Sequence, residues 1–310
     1  MLTLEQLEQR RSGIGGSDAA KIALHSKYGN AVDVYLSKLG LKQETPTTDK
    51  DLLKTDPRYW GDVQEPVIAA QYEFFTEKKV IIEPKLLRHP KYTWMIANID
   101  RWIVGENAIL ECKTCHEYKY KEWGEEGTDY IPDEYLFQVM HYAIVCNVDY
   151  VDIAVLIGGN KFKIYTYQRD TETEQLLIEL EHDFWHNHVL KQIPPEPKTY
   201  DDASKLWRKA LPSSKTLPTE LEDHWKSYTF AREKIKELEE QQDYDKAKIC
   251  GYLQDSEFLL NPLGMPIATW KEQTTERLDS KRLKKEHPEI YKQFTNSSTT
   301  RVLRIKEPQS

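Results

Sequence analysis

The stretch Asp100-Arg101-Trp102-Ile103-Val104-Gly105-Glu106-Asn107-Ala108-Ile109-Leu110-Glu111-Cys112-Lys113 sets an acid ten intervening residues before Glu-x-Lys, at the end of an apolar run. Gly105-Glu106 suits a two-residue hairpin turn with glycine first, the type II′ preference, between the strand-like runs Thr93 to Val104 and Asn107 to Thr114. A turn centred there puts Asp100 opposite Glu111 and Asn98 opposite Lys113. Strand side chains alternate with period two, so these four share one face, and Ala108, Leu110 and Cys112 face a core on the other.

Two carboxylates opposite one another can share a hard divalent ion. Lys113, about 7 Å along the strand from Glu111, can hold a water or offset charge on a phosphate. Metal-assisted phosphodiester cleavage needs these parts: cations to neutralise charge and a group that places the nucleophile. A surface hairpin with a cross-strand acid pair satisfies the same spacing, so other parts of the chain have to separate the two readings.

At 310 residues the chain has room for one large domain or two smaller ones. No apolar run reaches about 18 residues and the first residues lack the regions of a signal peptide, so no membrane span and a cytoplasmic location are expected. Four cysteines (Cys112, Cys115, Cys146, Cys250) in so long a chain make no disulfide framework and read as reduced thiols. Cys112-Lys113-Thr114-Cys115-His116 spells the haem-attachment pattern, but that chemistry needs export. The same thiols lack the second ligand pair of a zinc site, and Cys112 reads as a core residue. The net charge is −8, unevenly spread: residues 271 to 310 carry ten Lys or Arg against six Asp or Glu, which leaves −12 on the rest. Such a balance gives no general support for nucleic-acid binding, which would rest on local clusters such as Arg10-Arg11 and the tail.

The pattern along the chain predicts a mixed α/β core. Helices are expected over Ser17 to His25, with Ser17 as N-cap, and over Ala31 to Leu39, ending at Gly40. Residues 45 to 57 read as a loop and Glu65 to Lys78 as an amphipathic helix. A strand over Val80 to Leu87 precedes the opening hairpin. Pro132 to Val145 reads as a helix with Gln138 and Tyr142 four apart on one face, and a half-buried helix face with a satisfied amide explains that pair equally well. Strands Tyr150 to Ile157 and Lys161 to Gln168 flank Gly158-Gly159-Asn160, and Thr171 to Val189 reads as a long helix. Five prolines (Pro194, Pro195, Pro197, Pro212, Pro218) mark a boundary. Beyond it come long charged helices over His224 to Leu253, then strand-like Pro266 to Glu272 and Thr300 to Lys306 enclosing a basic helix, Ser280 to Gln293.

Arg11-Ser-Gly-Ile-Gly-Gly-Ser17-Asp-Ala-Ala, Trp60-Gly-Asp-Val-Gln-Glu65-Pro, Asn98-Ile-Asp100, Glu111-Cys-Lys113 and Gln138-Val-Met-His-Tyr142 together resemble the YqaJ-type phage recombination exonucleases, relatives of phage lambda exonuclease. The resemblance spans roughly residues 8 to 170. It implies a restriction-endonuclease-like mixed sheet flanked by helices, with a PD-(D/E)XK exonuclease domain over 1–198 and an accessory region over 199–310 formed of long helices, a basic helix and a hairpin. It further implies Mg²⁺-dependent 5′-to-3′ digestion of double-stranded DNA ends, Mn²⁺ being a substitute and two ions the expected number. The product would be a 3′ overhang, handed to a phage single-strand annealing protein, and the assembly a homotrimer.

Carried over by residue, Asp100 and Glu111 would be the central metal ligands beside the main-chain carbonyl of Cys112, with Glu65 completing the shell. Lys113 would position or activate the water, and Gln138 would support it. Arg11 and Ser17, with Arg10 as an alternative to Arg11, would grip a 5′-terminal phosphate, in keeping with a helix N-terminus beside an arginine. Ile99 stands where the motif's proline is usual, which leaves the acid in place. Two other readings stay open: a catalytically inactive DNA-binding or scaffold protein on a nuclease fold, and a nicking or single-strand nuclease.

Overall fold

The hairpin forms in the expected register. In the computed structural model, which describes residues 4–23, 29–42, 49–296 and 299–305, Arg101 pairs with Leu110 and Trp102 with Ile109. Continued by one residue, that register sets Asp100 opposite Glu111. The turn itself differs: the connection runs from Val104 to Asn107, closed by the Glu106 amide on the Ile103 carbonyl, and Gly105 adopts φ 81°. Glycine is therefore third in the turn, where a left-handed residue is required, and the centre of the hairpin is unchanged.

The chain falls into two units, Met1–Arg208 and Lys209–Ser310. In the first, helices α1 (Leu4–Arg11), α2 (Gly16–Ala23), α3 (Ala31–Lys38), α4 (Lys50–Leu53) and α5 (Pro57–Thr76) precede strands β1 (Val80–Ile82), β2 (Leu87–Arg88), β3 (Ile96–Ala97), β4 (Arg101–Ile103) and β5 (Ala108–Cys115). Helix α6 (Asp133–Cys146) then leads to β6 (Tyr150–Ile157), β7 (Lys161–Gln168), α7 (Thr171–Asp183) and α8 (Tyr200–Leu206). The main sheet has the order β1-β4-β5-β6-β7 and is antiparallel except for β5 and β6, which α6 joins as a parallel pair. It is the mixed sheet flanked by helices that the sequence predicted.

Both faces of the sheet are covered, which explains the apolar run before Glu111. Ala108 and Leu110 pack with Ile68, Ala69 and Tyr72 of α5, whereas Ile109 packs with Val139, Tyr142 and Ala143 of α6. Alternation therefore turns Glu111 and Lys113 toward α6 and Cys112 toward α5.

Several boundaries depart from expectation for physical reasons. Helix α5 starts at Pro57 behind the Asp56 cap, so Glu65 lies mid-helix rather than at the expected start, and Pro66 sits inside the helix. The expected strand Val80 to Leu87 is two short ones, with β2 pairing to β3 outside the main sheet. Residues 50–53 of the expected loop are helical, and its residues 45–48 lie outside the described ones, as does His25 at the expected end of α2. The division between units falls after Arg208 rather than at 198. Helix α8 stays with the first unit because Asp202 accepts from Asn30 Nδ2 at 2.8 Å and Lys205 pairs with Asp33 at 3.0 Å.

The second unit holds one long helix, α9 (Glu222–Leu253), and a hairpin of β8 (Phe258–Leu260) and β9 (Pro266–Thr269). The basic segment is split into α10 (Ser280–Glu286) and α11 (Pro288–Gln293), since Pro288 cannot continue the first and instead starts the second. Residues 300–305 form no strand, and Lys306 lies outside the described residues. No helix among the described residues is long and apolar enough to cross a membrane.

Candidate active site

Asp100, Glu111, Lys113 and Gln138 meet between the hairpin and α6. Lys113 Nζ donates to Glu111 Oε1 at 2.5 Å and to Gln138 Oε1 at 3.1 Å, and Gln138 Nε2 donates to the same Glu111 oxygen at 2.8 Å. The second nitrogen-bound proton of Gln138 reaches Tyr142 Oη at 3.0 Å, so the four-residue spacing on α6 is used on one face. The Lys113 ammonium also lies 5.2 Å from the centroid of the Tyr135 ring. Asp100 Oδ2 accepts the Cys112 amide at 2.7 Å, which ties the acid across the hairpin to the residue between Glu111 and Lys113.

Electrostatically this is a strained set. Burial, followed by the charge of Glu111, pushes the Asp100 carboxyl well above the usual range. Burial likewise raises Glu111 even though Lys113 pulls it down. Burial alone would lower the Lys113 ammonium, but the charges of Glu111 and Asp100 outweigh it and hold the pKa above the ordinary lysine value.

One lysine cannot neutralise both the buried Glu111 and the half-buried Asp100. Glu111 Oε2 is buried with no hydrogen-bond partner at all, a costly state for a carboxylate oxygen. A hard oxygen donor that lacks a partner and is held beside a second carboxylate fits a divalent cation such as Mg²⁺ or Mn²⁺. Among the described residues, however, no group of three or more His, Cys, Asp or Glu stands assembled as a metal site. Glu65 explains why: Arg101 Nη1 donates to its Oε1 at 2.5 Å, and to the Asp100 main-chain carbonyl at 2.6 Å. The third expected acid is close enough to act on the other two but is bound to a guanidinium. Cys112, half-buried with its thiol on the α5 side, is a packing residue as its alternation implies, and burial pushes its pKa up.

A second assembly lies on the other side of Tyr142. Arg10, Arg11 and Ser17 line a pocket of about 90 Å³ together with Lys21, Lys38, Lys42, Asp18, Asp33, Asn98 and Tyr142. Here Ser17 differs from expectation. Helix α2 begins at Gly16, and the amide of Gly15 is taken by Asp18 Oδ2 at 3.0 Å, so Ser17 sits exposed in the first turn rather than capping it. Helices α2 and α6 touch where glycine is required: a Cβ on Gly16 would lie 2.5 Å from Tyr142 Cε1. This contact joins the two assemblies, because the ring packed on Gly16 carries the hydroxyl that receives Gln138.

Sequence reasoning missed Asp18, Lys38 and Arg101. Lys38 Nζ is buried and donates to Asp18 Oδ2 at 2.6 Å and to the Arg10 carbonyl at 2.7 Å, fixing one wall of the pocket. Burial opposes ionisation of Asp18, but the Lys38 charge and hydrogen bond outweigh it and hold the carboxyl below its ordinary value. The signal was available: Lys38 follows buried Val34 by one helical turn, and Arg101 alternates with buried Ile103, so each places a cation on an apolar stripe.

Residues 5–149 match the family described as the YqaJ-like viral recombinase domain. An uncharacterised protein, YqaJ, from Bacillus subtilis (strain 168) is 34% identical over 310 residues, covering 98% of this chain and 94% of that one. Among solved structures, an alkaline exonuclease from Laribacter hongkongensis superposes with a TM-score of 0.48 at 17% identity, over 62% of this chain and 94% of that one. A phage-related exonuclease from Haemophilus somnus 129PT gives 0.41 at 10% identity, over 58% and 96%.

Proposed function

Because the chain belongs to the family of the YqaJ-like viral recombinase domain, we propose that it is a recombination nuclease: a Mg²⁺-dependent 5′-to-3′ exonuclease on double-stranded DNA ends. One observation carries the reading beyond family: Tyr142 is shared between the Glu111–Lys113–Gln138 network and the pocket of Arg10, Arg11 and Ser17. A cation-lined pocket next to a pair of carboxylates is what an enzyme needs to hold a terminal phosphate while a neighbouring diester is cut.

Asp100 and Glu111, with Glu65, are the residues that would hold the divalent ions, two in number, beside the Cys112 carbonyl; Mn²⁺ is the expected substitute. When bound, such an ion supplies Lewis-acid charge and acidifies a water. Lys113 offsets charge as the phosphorus gains an oxygen, and its hydrogen bond to Gln138 keeps the ammonium aimed at Glu111. Arg10 and Arg11 counter the terminal phosphate and the exposed Ser17 hydroxyl donates to it, so the strand bearing that phosphate is the one cut. Removal from that end leaves a 3′ overhang, the substrate of a phage-type single-strand annealing protein, and a homotrimer would keep the enzyme on its duplex.

The test is nucleotide release from linear duplexes with and without a 5′ phosphate, in Mg²⁺ and in EDTA. Wild type is expected to release nucleotides in Mg²⁺ and to favour the phosphorylated end. Lys113→Ala should lose release on both substrates, and Arg11→Ala should lose the preference. Absence of metal-dependent release from either duplex sinks the proposal, and release from closed circles would replace it with a nicking nuclease.

A further inference from the structure

We propose that Arg101 is a built-in counter-ion for Glu65 which an incoming divalent cation must displace, so that the third acid joins the site by ion exchange. The inference rests on reading the carboxylates as a metal site. Alternation along β4 puts Arg101 on the face toward α5 with Ile103, where the buried neighbours are Ile68, Ala69, Tyr72 and Leu110. An aliphatic side chain would satisfy that position. The residue is instead an arginine, 6% exposed, and a guanidinium in such surroundings is costly unless paired.

Its pairing is specific. One nitrogen, Nη1, donates both to Glu65 Oε1 at 2.5 Å and to the Asp100 carbonyl at 2.6 Å, linking the outlying acid to the backbone of the first. Arginine keeps its charge at any ordinary pH, so loss of a proton cannot dissolve the pair; another cation can. The side chain of Glu65 is 31% exposed, which leaves it within reach from solvent, whereas the Arg101 side chain is 7% exposed. Meanwhile Glu111 Oε2 has no partner, and the half-buried Asp100 carboxylate acts on Glu111 from across the hairpin. The arrangement lets three acids share one region before metal arrives. It also raises the threshold for entry, since only an ion that gains more from the carboxylates than the guanidinium does will take Glu65.

A merely structural Arg101, pinning α5 to the hairpin, makes a different prediction for metal affinity. The experiment is calorimetric titration of Mn²⁺ into full-length wild type, Arg101→Met, Glu65→Gln and the double variant, with circular dichroism on each. A competing internal cation lowers apparent affinity by the fraction of molecules in which it holds the ligand, so Arg101→Met is expected to bind Mn²⁺ about tenfold tighter than wild type. The gain should vanish on the Glu65→Gln background, because Arg101 acts through that acid. Equal or weaker binding by folded Arg101→Met overturns the proposal, and so does a gain that persists in the double variant. Should Arg101→Met fail to fold, Arg101→Gln, which keeps hydrogen-bond donors at this buried position but removes the charge, is expected to bind more tightly in the same direction; no change there also overturns it. If wild type binds Mn²⁺ and the variants bind alike, only the counter-ion role falls. If no form binds Mn²⁺, the metal-site reading falls with it.

Discussion

Replacing Lys113 by methionine keeps the aliphatic stem and removes the one cation among the described residues that pairs with Glu111. The side chains of Lys113 and Glu111 are 17% and 4% exposed, so the acid would be left buried without its partner, retaining only the Gln138 amide. Breaking a buried ion pair from one side typically costs about 3–5 kcal/mol. Glu111 can escape part of that by taking up a proton, at about 1.4 kcal/mol for each unit by which its pKa stands above the solution pH. The direction with pH follows. Burial already raises Glu111 in the folded protein, and the two influences of Lys113, charge and hydrogen bond, both lower it; deleting them raises it further. A carboxylate whose folded pKa exceeds its unfolded one binds a proton preferentially when folded. Stability therefore falls as pH rises from the unfolded value, about 4.3, up to the folded one. Urea unfolding in EDTA at pH 5 and pH 8 is the assay. Lys113→Met should lose about 3–5 kcal/mol at pH 8 and clearly less at pH 5, and adding Glu111→Gln should recover most of the loss. A loss below about 1 kcal/mol at pH 8, or one equal at the two pH values, would refute the claim that Lys113 compensates a buried, ionised Glu111.

Three further outcomes are expected. His141 and Glu181 are both fully buried, with His141 Nδ1 donating to Glu181 Oε1 at 2.8 Å and Nε2 to the Ile96 carbonyl at 2.9 Å; His141→Ala should cost about 3–5 kcal/mol in urea unfolding. Burial pulls the His141 pKa down but the Glu181 charge outweighs it, so the pair's contribution is full below about pH 6.5 and is lost as pH rises through the raised folded value, which NMR titration of the imidazole would locate. Gly16→Ala should destabilise by about 1–3 kcal/mol, because its Cβ would stand 2.5 Å from Tyr142 Cε1, and should also lower turnover by shifting the ring that receives Gln138. Tyr142→Phe removes only the 3.0 Å bond from Gln138 and should cost about 0.5–1.5 kcal/mol in thermal unfolding, an increase in stability being the contrary result.

The parts of the site that were legible in the sequence are those set by short-range periodicity. The register of Asp100 against Glu111 depended only on where the hairpin is centred. It survived an incorrect turn type, because the longer connection from Val104 to Asn107 has the same midpoint. Gln138 and Tyr142 were likewise fixed by helical spacing. The start of α5 was less legible. Glu65 is expected to open its helix, but the capping Asp56, nine residues earlier, has already begun it. The partners of Glu65 and Asp18 were not legible, since Arg101 and Lys38 reach them through tertiary packing. A buried cation looks like any surface arginine or lysine until the apolar stripe it interrupts is recognised.

That same packing answers the difficulty posed by a net charge of −8. Around the pocket, Lys38 is matched to Asp18 and Lys205 is drawn to Asp33, so both pocket acids have partners while Arg10, Arg11 and Lys21 share the same lining. The repulsion of the acidic chain acts over distance and is screened within about 8 Å at physiological ionic strength, whereas a phosphate inside the pocket meets its cations at contact. A long duplex brings only its ordinary diester charge to the acidic surface. In the proposed function, a strand terminus bearing a phosphate would add charge where these cations line the pocket, next to Tyr142, the residue that leads to Gln138 and Glu111. On the proposed function, the acidic balance would work against binding along the duplex more than against binding at its end, and so would favour selection of ends.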